Sequence, residues 1–180
     1  MKLDKKAKIS AICGVIAVCA LGTLLHFLYE WTGENTFVAL FSGVNESTWE
    51  HLKLFYMPFL LYALIEFAIY GKKLENFFTV KLLSAIAGMA FTVVSYYTYT
   101  GVIGKNFAWL NIAIFYISVI IAFVCSYYFL IKEPISVSGT AETLSAIALV
   151  IIAALFFVFT FYPPDIALFK DPSELTAPKS

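Results

Sequence analysis

The sequence predicts an all-helical, polytopic membrane protein: a bundle of five spans with the N-terminus cytoplasmic and the C-terminus external. Three observations lead there. The 180 residues are 61% hydrophobic and 13% charged, against about 45–50% apolar and about 25% charged in ordinary soluble domains. The apolar residues gather into five long runs, each near the roughly 20 residues that cross a bilayer. No run alternates with period two, so a membrane β-barrel is not expected, and open strands are excluded from lipid by their unpaired backbone groups.

The runs are Ile9–Tyr29, Leu54–Tyr70, Val80–Tyr99, Phe107–Ile131 and Leu144–Tyr162. The second is short alone and reaches full length if Thr48–Lys53 belongs to the same helix. The spans therefore cover about 9–29, 48–70, 80–99, 107–131 and 144–162. Residues 1–162 form a single transmembrane domain. The first run follows Lys2, Lys5, Lys6 and Lys8 as a signal peptide would, but it is longer than a signal core and no small-x-small cleavage site follows before His26. It is read as a helix that stays.

Lysine placement sets the expected orientation. Lys2, Lys5, Lys6, Lys8, Lys72, Lys73, Lys81 and Lys132 fall on one side, assigned to the cytoplasm. Lys53, Lys105, Lys170 and Lys179 are spread more thinly on the other. Tyr29, Trp31, Trp49, Tyr70, Trp109 and Tyr162 lie near span ends, as interface anchors do. Residues 163–180, rich in Pro, are expected as a loose external tail.

Charge and composition also exclude functions. The net charge is zero and all twelve basic residues are Lys. Nucleic acid is not an expected partner, because no basic excess exists to neutralise phosphates. An arginine fork gripping an anion is ruled out. Cys13, Cys19 and Cys125 lie in apolar runs without metal-finger or redox spacing.

Polar stripes mark the helix faces that should look into the bundle. Cys19, Gly22, Thr23, His26 and Glu30 share a face of the first helix. His51, Phe55, Pro58, Tyr62 and Glu66 share one on the second, and Lys81, Ser84, Gly88, Thr92, Ser95 and Tyr99 one on the third. Small and hydroxyl residues there serve close packing. An ionisable group in a span is costly, about 2.5–3.5 kcal/mol at mid-helix on insertion scales, and so a functional candidate. Glu66 and Lys81, near inner helix ends, are explained by an ion pair or by snorkelling.

The densest polar cluster is the loop 30–47 with its flanks. Asn35 and Gly43 bracket a short apolar piece, expected as a short interfacial or re-entrant helix. Ser47-Thr48-Trp49-Glu50 fits a capping box, and Asn45-Glu46-Ser47 matches a glycosylation sequon. His26, Glu30, Asn45, Glu46, Glu50, His51 and Glu66 are the ligand-binding candidates, and His26, Glu30, Glu46 and His51 the metal candidates. Imidazoles and carboxylates from adjacent helix ends suit a divalent metal such as zinc. Capping leaves His26, Glu30, Glu46 and His51 unexplained. Catalytic residues are not identified by this pattern.

Three readings follow. The cluster binds or transports a cation or small polar solute. Alternatively, it is a metal-dependent membrane-embedded hydrolase acting on lipid or peptide, with Glu50 or Glu46 as general base. Or it belongs to an accessory membrane subunit and only pins helix ends. The bilayer is the expected surrounding, and five helices without an internal repeat leave room for a homo-oligomer to supply a second half.

The stretches His26-Phe-Leu-Tyr-Glu-Trp-Thr-Gly-Glu-Asn and Val44-Asn-Glu-Ser-Thr-Trp-Glu-His-Leu-Lys resemble a family of small bacterial membrane proteins of unknown function, found mainly in clostridia and relatives. The resemblance covers most of the chain. It implies a multi-pass protein of the bacterial cell membrane and no particular activity.

Overall fold

Each apolar run becomes a helix. The computed structural model describes residues 2–173. The order is α1 (Leu3–Trp31), α2 (Thr36–Ala39), α3 (Thr48–Ile69), α4 (Phe77–Ile103), α5 (Ala108–Tyr127) and α6 (Gly139–Phe161), with no strand among the described residues. Short 3-10 turns occupy Gly71–Lys73 and Ala167–Phe169, and α5 runs on into a π turn at Tyr128–Lys132. All helices but α2 are long and apolar enough to cross a membrane. Ile16, Leu61, Val94, Val124 and Val150 point outward from them, and a surface so apolar suits lipid rather than water.

Most of the helix ends described have local reasons, and one is capped from a distant helix. α3 does begin at Thr48, where Ser47 is the N-cap and its hydroxyl accepts from the Glu50 amide at 3.3 Å. α4 runs past Tyr99 to Ile103 and stops at Gly104, whose φ of 71° is the left-handed conformation that glycine tolerates at a helix end. The start of α4 is capped from another helix. Glu142 of α6 accepts the Phe78 amide at 2.6 Å and the Thr79 amide at 2.9 Å, a carboxylate placed on unpaired N–H groups.

α3 is the most enclosed helix. Phe55, Tyr56 and Phe59 are buried against Val18 of α1, Val119 and Phe123 of α5, and Leu149 and Phe156 of α6. The Tyr56 hydroxyl donates to the Leu149 carbonyl at 2.7 Å. Small residues let backbones close in, as the stripes predict. A Cβ at Gly22 would lie 2.5 Å from the Phe115 ring and 2.8 Å from the Leu54 carbonyl, and one at Gly88 would lie 3.0 Å from the Ser118 carbonyl.

Among the described residues, two ion pairs are buried inside this bundle. Lys81 pairs with Glu66 and donates to Ser126 Oγ at 2.6 Å, while the Tyr70 hydroxyl donates to Glu66 at 2.7 Å. Lys81 Nζ also lies 5.5 Å from the Phe59 and Phe77 ring centroids. Of the two sequence explanations for Lys81, the ion pair holds and snorkelling does not, because the amine is enclosed. The second pair is Glu50–Lys53 at 2.6 Å. Lys53, expected among the thinly spread lysines of the external side, is buried.

Of the expected tail, the described part is seated on the bundle. Phe169 packs on Trp49 and Phe159, with ring centroids 4.7 and 5.4 Å away, and Leu168 packs against the core. Residues 174–180 of that expected tail lie outside the described residues.

Candidate metal site

The site forms where α1 ends and α3 begins. Beyond Trp31 the chain reverses through Gly33 and Glu34, at φ 66° and 61°, with the Glu34 amide bonded to the Tyr29 carbonyl at 3.0 Å. Asn35 then caps α2, its Oδ1 accepting from the Phe37 amide at 2.9 Å. A short helix is therefore present between Asn35 and Gly43, spanning Thr36–Ala39.

The loop after α2 is latched at several points. Ser42 Oγ donates to the Leu25 carbonyl and accepts the Tyr29 amide at 3.0 Å, which ties it to α1. Lys53 donates to the Ala39 carbonyl at 2.7 Å and to Thr160 Oγ1 at 2.8 Å. Glu50 accepts the Val44 amide at 3.1 Å. Asn45 Oδ1 accepts the Ser47 amide at 2.9 Å. Only half of the capping box therefore forms. Ser47 caps Glu50 as expected, but the Glu50 carboxylate turns to Val44, Lys53 and Thr160 and leaves the Ser47 amide to Asn45.

These latches hold Glu46 between two imidazoles. Glu46 Oε1 is 3.7 Å from His26 Nε2, and Glu46 Oε2 is 3.6 Å from His51 Nε2. The rings are 5.5 Å apart, and one ligand atom from each of the three residues lies within 4.8 Å of the others. His51 Nδ1 lies 2.9 Å from the Ser47 carbonyl. A carbonyl only accepts, so Nδ1 carries the hydrogen and the Nε2 lone pair of neutral His51 faces the cluster. A ring oriented in this way by a backbone carbonyl is the usual arrangement of a metal-ligating histidine.

The other candidates go elsewhere. Glu30 is exposed, one turn further along α1 than His26, and stands outside the group of three. Asn45 shapes the turn before α3. Glu50 is held in the Lys53 pair, which removes it as a ready general base. Glu66 lies at the opposite end of α3 with Lys81. The contributions of Ser42, Lys53 and Thr160 have no local motif. The one available signal for Lys53 is its three-residue spacing from Glu50.

A cavity of about 210 Å³ adjoins the cluster, walled by Gly22, Leu54, Ile112 and Phe115 beside His26 and His51. A smaller one of about 40 Å³ continues from His51 towards Thr92 and Tyr96 of α4. On the far side the chain returns with Asp171. Its carboxyl is held below the usual carboxylate range by the Ser173 hydroxyl and amide, with smaller help from the Glu46 amide.

Chemically, two imidazoles sharing one carboxylate form an incomplete set. Neutral His51 sets its Nε2 lone pair towards a Glu46 carboxylate oxygen, and a proton or a metal cation between them resolves the repulsion. Zinc takes N ligands at about 2.0–2.1 Å and carboxylate O at about 2.0–2.2 Å, so its tetrahedral ligands lie roughly 3.3 Å apart. The two His–Glu separations are a few tenths of an ångström above that, while the three ligand atoms together lie only within 4.8 Å of one another, so the side chains must draw together around an ion.

The family model of a family of unknown function, DUF6512, matches residues 1–176. The chain belongs to that family. The match covers all five candidate spans and the whole His–Glu cluster. No curated protein and no solved structure matches the chain.

Proposed function

We propose that this multi-pass membrane protein binds a divalent cation, with zinc the best fit, through His26, Glu46 and His51. The observation that carries the reading is the His51 Nδ1 bond to the Ser47 carbonyl, which aims Nε2 at Glu46 and His26. Two nitrogen donors and one carboxylate favour zinc over calcium or magnesium, which prefer oxygen. Three protein ligands leave a fourth position for water or a solute. Binding is favoured over passage, because Phe55, Tyr56, Phe59 and Phe123 fill the interior of the bundle.

The test is calorimetric titration of zinc chloride into metal-stripped protein in detergent. One ion per chain is expected. His26→Ala and His51→Ala should abolish the heat, and Glu46→Gln should weaken binding. Wild-type protein that takes up no zinc, or His51→Ala protein that binds it as well as wild type, would sink the reading.

The same proposal places the site on the outer face of a bacterial cell membrane. Lys2, Lys5, Lys6, Lys8, Lys72, Lys73 and Lys132 gather at the opposite end of the helices, and cytoplasmic ends carry the lysine excess. A C-terminal alkaline phosphatase fusion is expected to be active in cells, and a C-terminal green fluorescent protein fusion dark. The reverse pattern would turn the protein over.

A further inference from the structure

We infer that the cavity beside the cation site takes the chain of a fatty acid, whose carboxylate fills the cation's open position. The inference rests on the cation reading and names what the fourth position is for.

The walls argue for an alkyl chain. Gly22, Leu54, Ile112 and Phe115 present hydrocarbon or bare backbone to a space of about 210 Å³. Gly22 helps shape this wall, since any Cβ there would strike Phe115. The space lies between α1 and α5 and reaches their outer surface, where Phe27, Ile112 and Tyr116 are 42%, 54% and 37% exposed. Those are lipid-facing positions of spanning helices. A ligand can therefore enter sideways from the bilayer with its tail leading or trailing, without crossing water.

The polar groups argue for a small anionic head. No lysine lines the cavity, so a bound cation would be the sole positive centre an anion meets. The neutral polar groups nearby are already engaged. Thr23 donates to the Cys19 carbonyl at 2.8 Å and shares a hydrogen bond with Tyr116 at 3.2 Å. Asn111 accepts from Tyr99 and donates to Asn106 at 2.8 Å. Few donors remain for the several oxygens of a phosphate or a glycerol head. A carboxylate needs only the metal.

The test is binding of laurate to the full chain in a fixed amount of maltoside detergent, so that micelle partition is common to every arm. The arms are zinc-loaded and zinc-free protein, with lauryl alcohol and dodecyl phosphate as comparison probes. Zinc-loaded wild type should bind laurate at least tenfold more tightly than zinc-free protein does, and at least tenfold more tightly than it binds lauryl alcohol. Ala108→Phe and Ile112→Trp, both at exposed positions lining the cavity mouth, should weaken laurate at least tenfold and leave zinc affinity within twofold. Laurate affinity indifferent to zinc, or indifferent to both variants, overturns the inference and spares the cation reading. Dodecyl phosphate binding more tightly than laurate overturns the carboxylate assignment. Protein that binds no zinc at all removes both.

Discussion

Glu66 with Lys81 at one end of the bundle, and Glu46 with His26 and His51 at the other, each set an acid among bases. The surroundings differ. Lys81 is enclosed, its amine bonded to Glu66 and Ser126 and flanked by aromatic rings, and Tyr70 completes Glu66. The Lys81 amine, both Glu66 oxygens and the Tyr70 hydroxyl each have a partner. Glu46 is largely exposed, its two imidazoles sit 3.6 and 3.7 Å away, and a cavity adjoins them. A closed, satisfied pair holds a fold together. An open, under-neutralised cluster is ready for a further positive charge. Sequence puts both at span ends and reads the first as an ion pair or snorkelling groups and the second as a ligand site, without fixing which partners meet. Packing and hydrogen bonding separate them.

The largest effect should come from breaking the closed pair. Lys81→Met leaves the Glu66 carboxylate buried without its cation, and is expected to cost about 3–5 kcal/mol. Thermal unfolding in detergent measures it. Lys81→Met combined with Glu66→Leu should recover much of the loss, because the uncompensated charge is then gone. A mild single variant would show that water reaches Glu66.

The open cluster should behave the opposite way. His51→Ala is expected to change the unfolding temperature of metal-free protein little. Zinc at about 100 times its dissociation constant should stabilise wild type by about 2.7 kcal/mol and leave the variant unmoved. The gain should also fade as pH falls, since protons compete with the metal for the ring nitrogens. Zinc-induced shifts equal in wild type and His51→Ala would place the metal elsewhere.

Between these lies close packing shared by both ends. A Cβ at Gly14 would meet Phe123 at 2.3 Å and Tyr62 at 2.6 Å. Gly14→Ala is therefore expected to cost about 1–3 kcal/mol by overpacking, read from the same unfolding curve. Ser47→Ala removes the α3 cap and should cost about 1 kcal/mol. It also sharpens the comparison, because the His51-orienting carbonyl belongs to the backbone and survives, so zinc affinity should change much less than in His51→Ala.

The smallest effect belongs to the returning segment. The Asp171 carboxyl is held low by Ser173, so its stabilisation is present above the unfolded carboxylate pKa of about 3.9 and lost as pH falls through the depressed folded value. Asp171→Asn should lower stability by less than about 1 kcal/mol near neutral pH, since the group is solvent-screened. The pH dependence of unfolding below about pH 4 should flatten by the same small amount.

Composition and the spacing of apolar runs carried the five spans, because lipid imposes a minimum length and leaves helices few alternatives. Helix periodicity carried the inward stripes, and Asn35 and Ser47 were readable as caps because capping is a contact within three residues. His26 and His51 stood out for their chemistry. Which acid joins them did not. Glu30 is near His26 in the chain and Glu46 and Glu50 are near His51, and the choice of Glu46 depends on Ser42 gripping α1, Lys53 reaching Ala39, and Thr160 arriving from α6. Those partners are up to 107 residues apart. Local chemistry thus decided the elements and most of their ends, the start of α4 under Glu142 being the exception. Only the packed bundle decided which charges are sealed and which stay open, because burial and partnership are properties of the assembled helices and belong to no single stretch of chain.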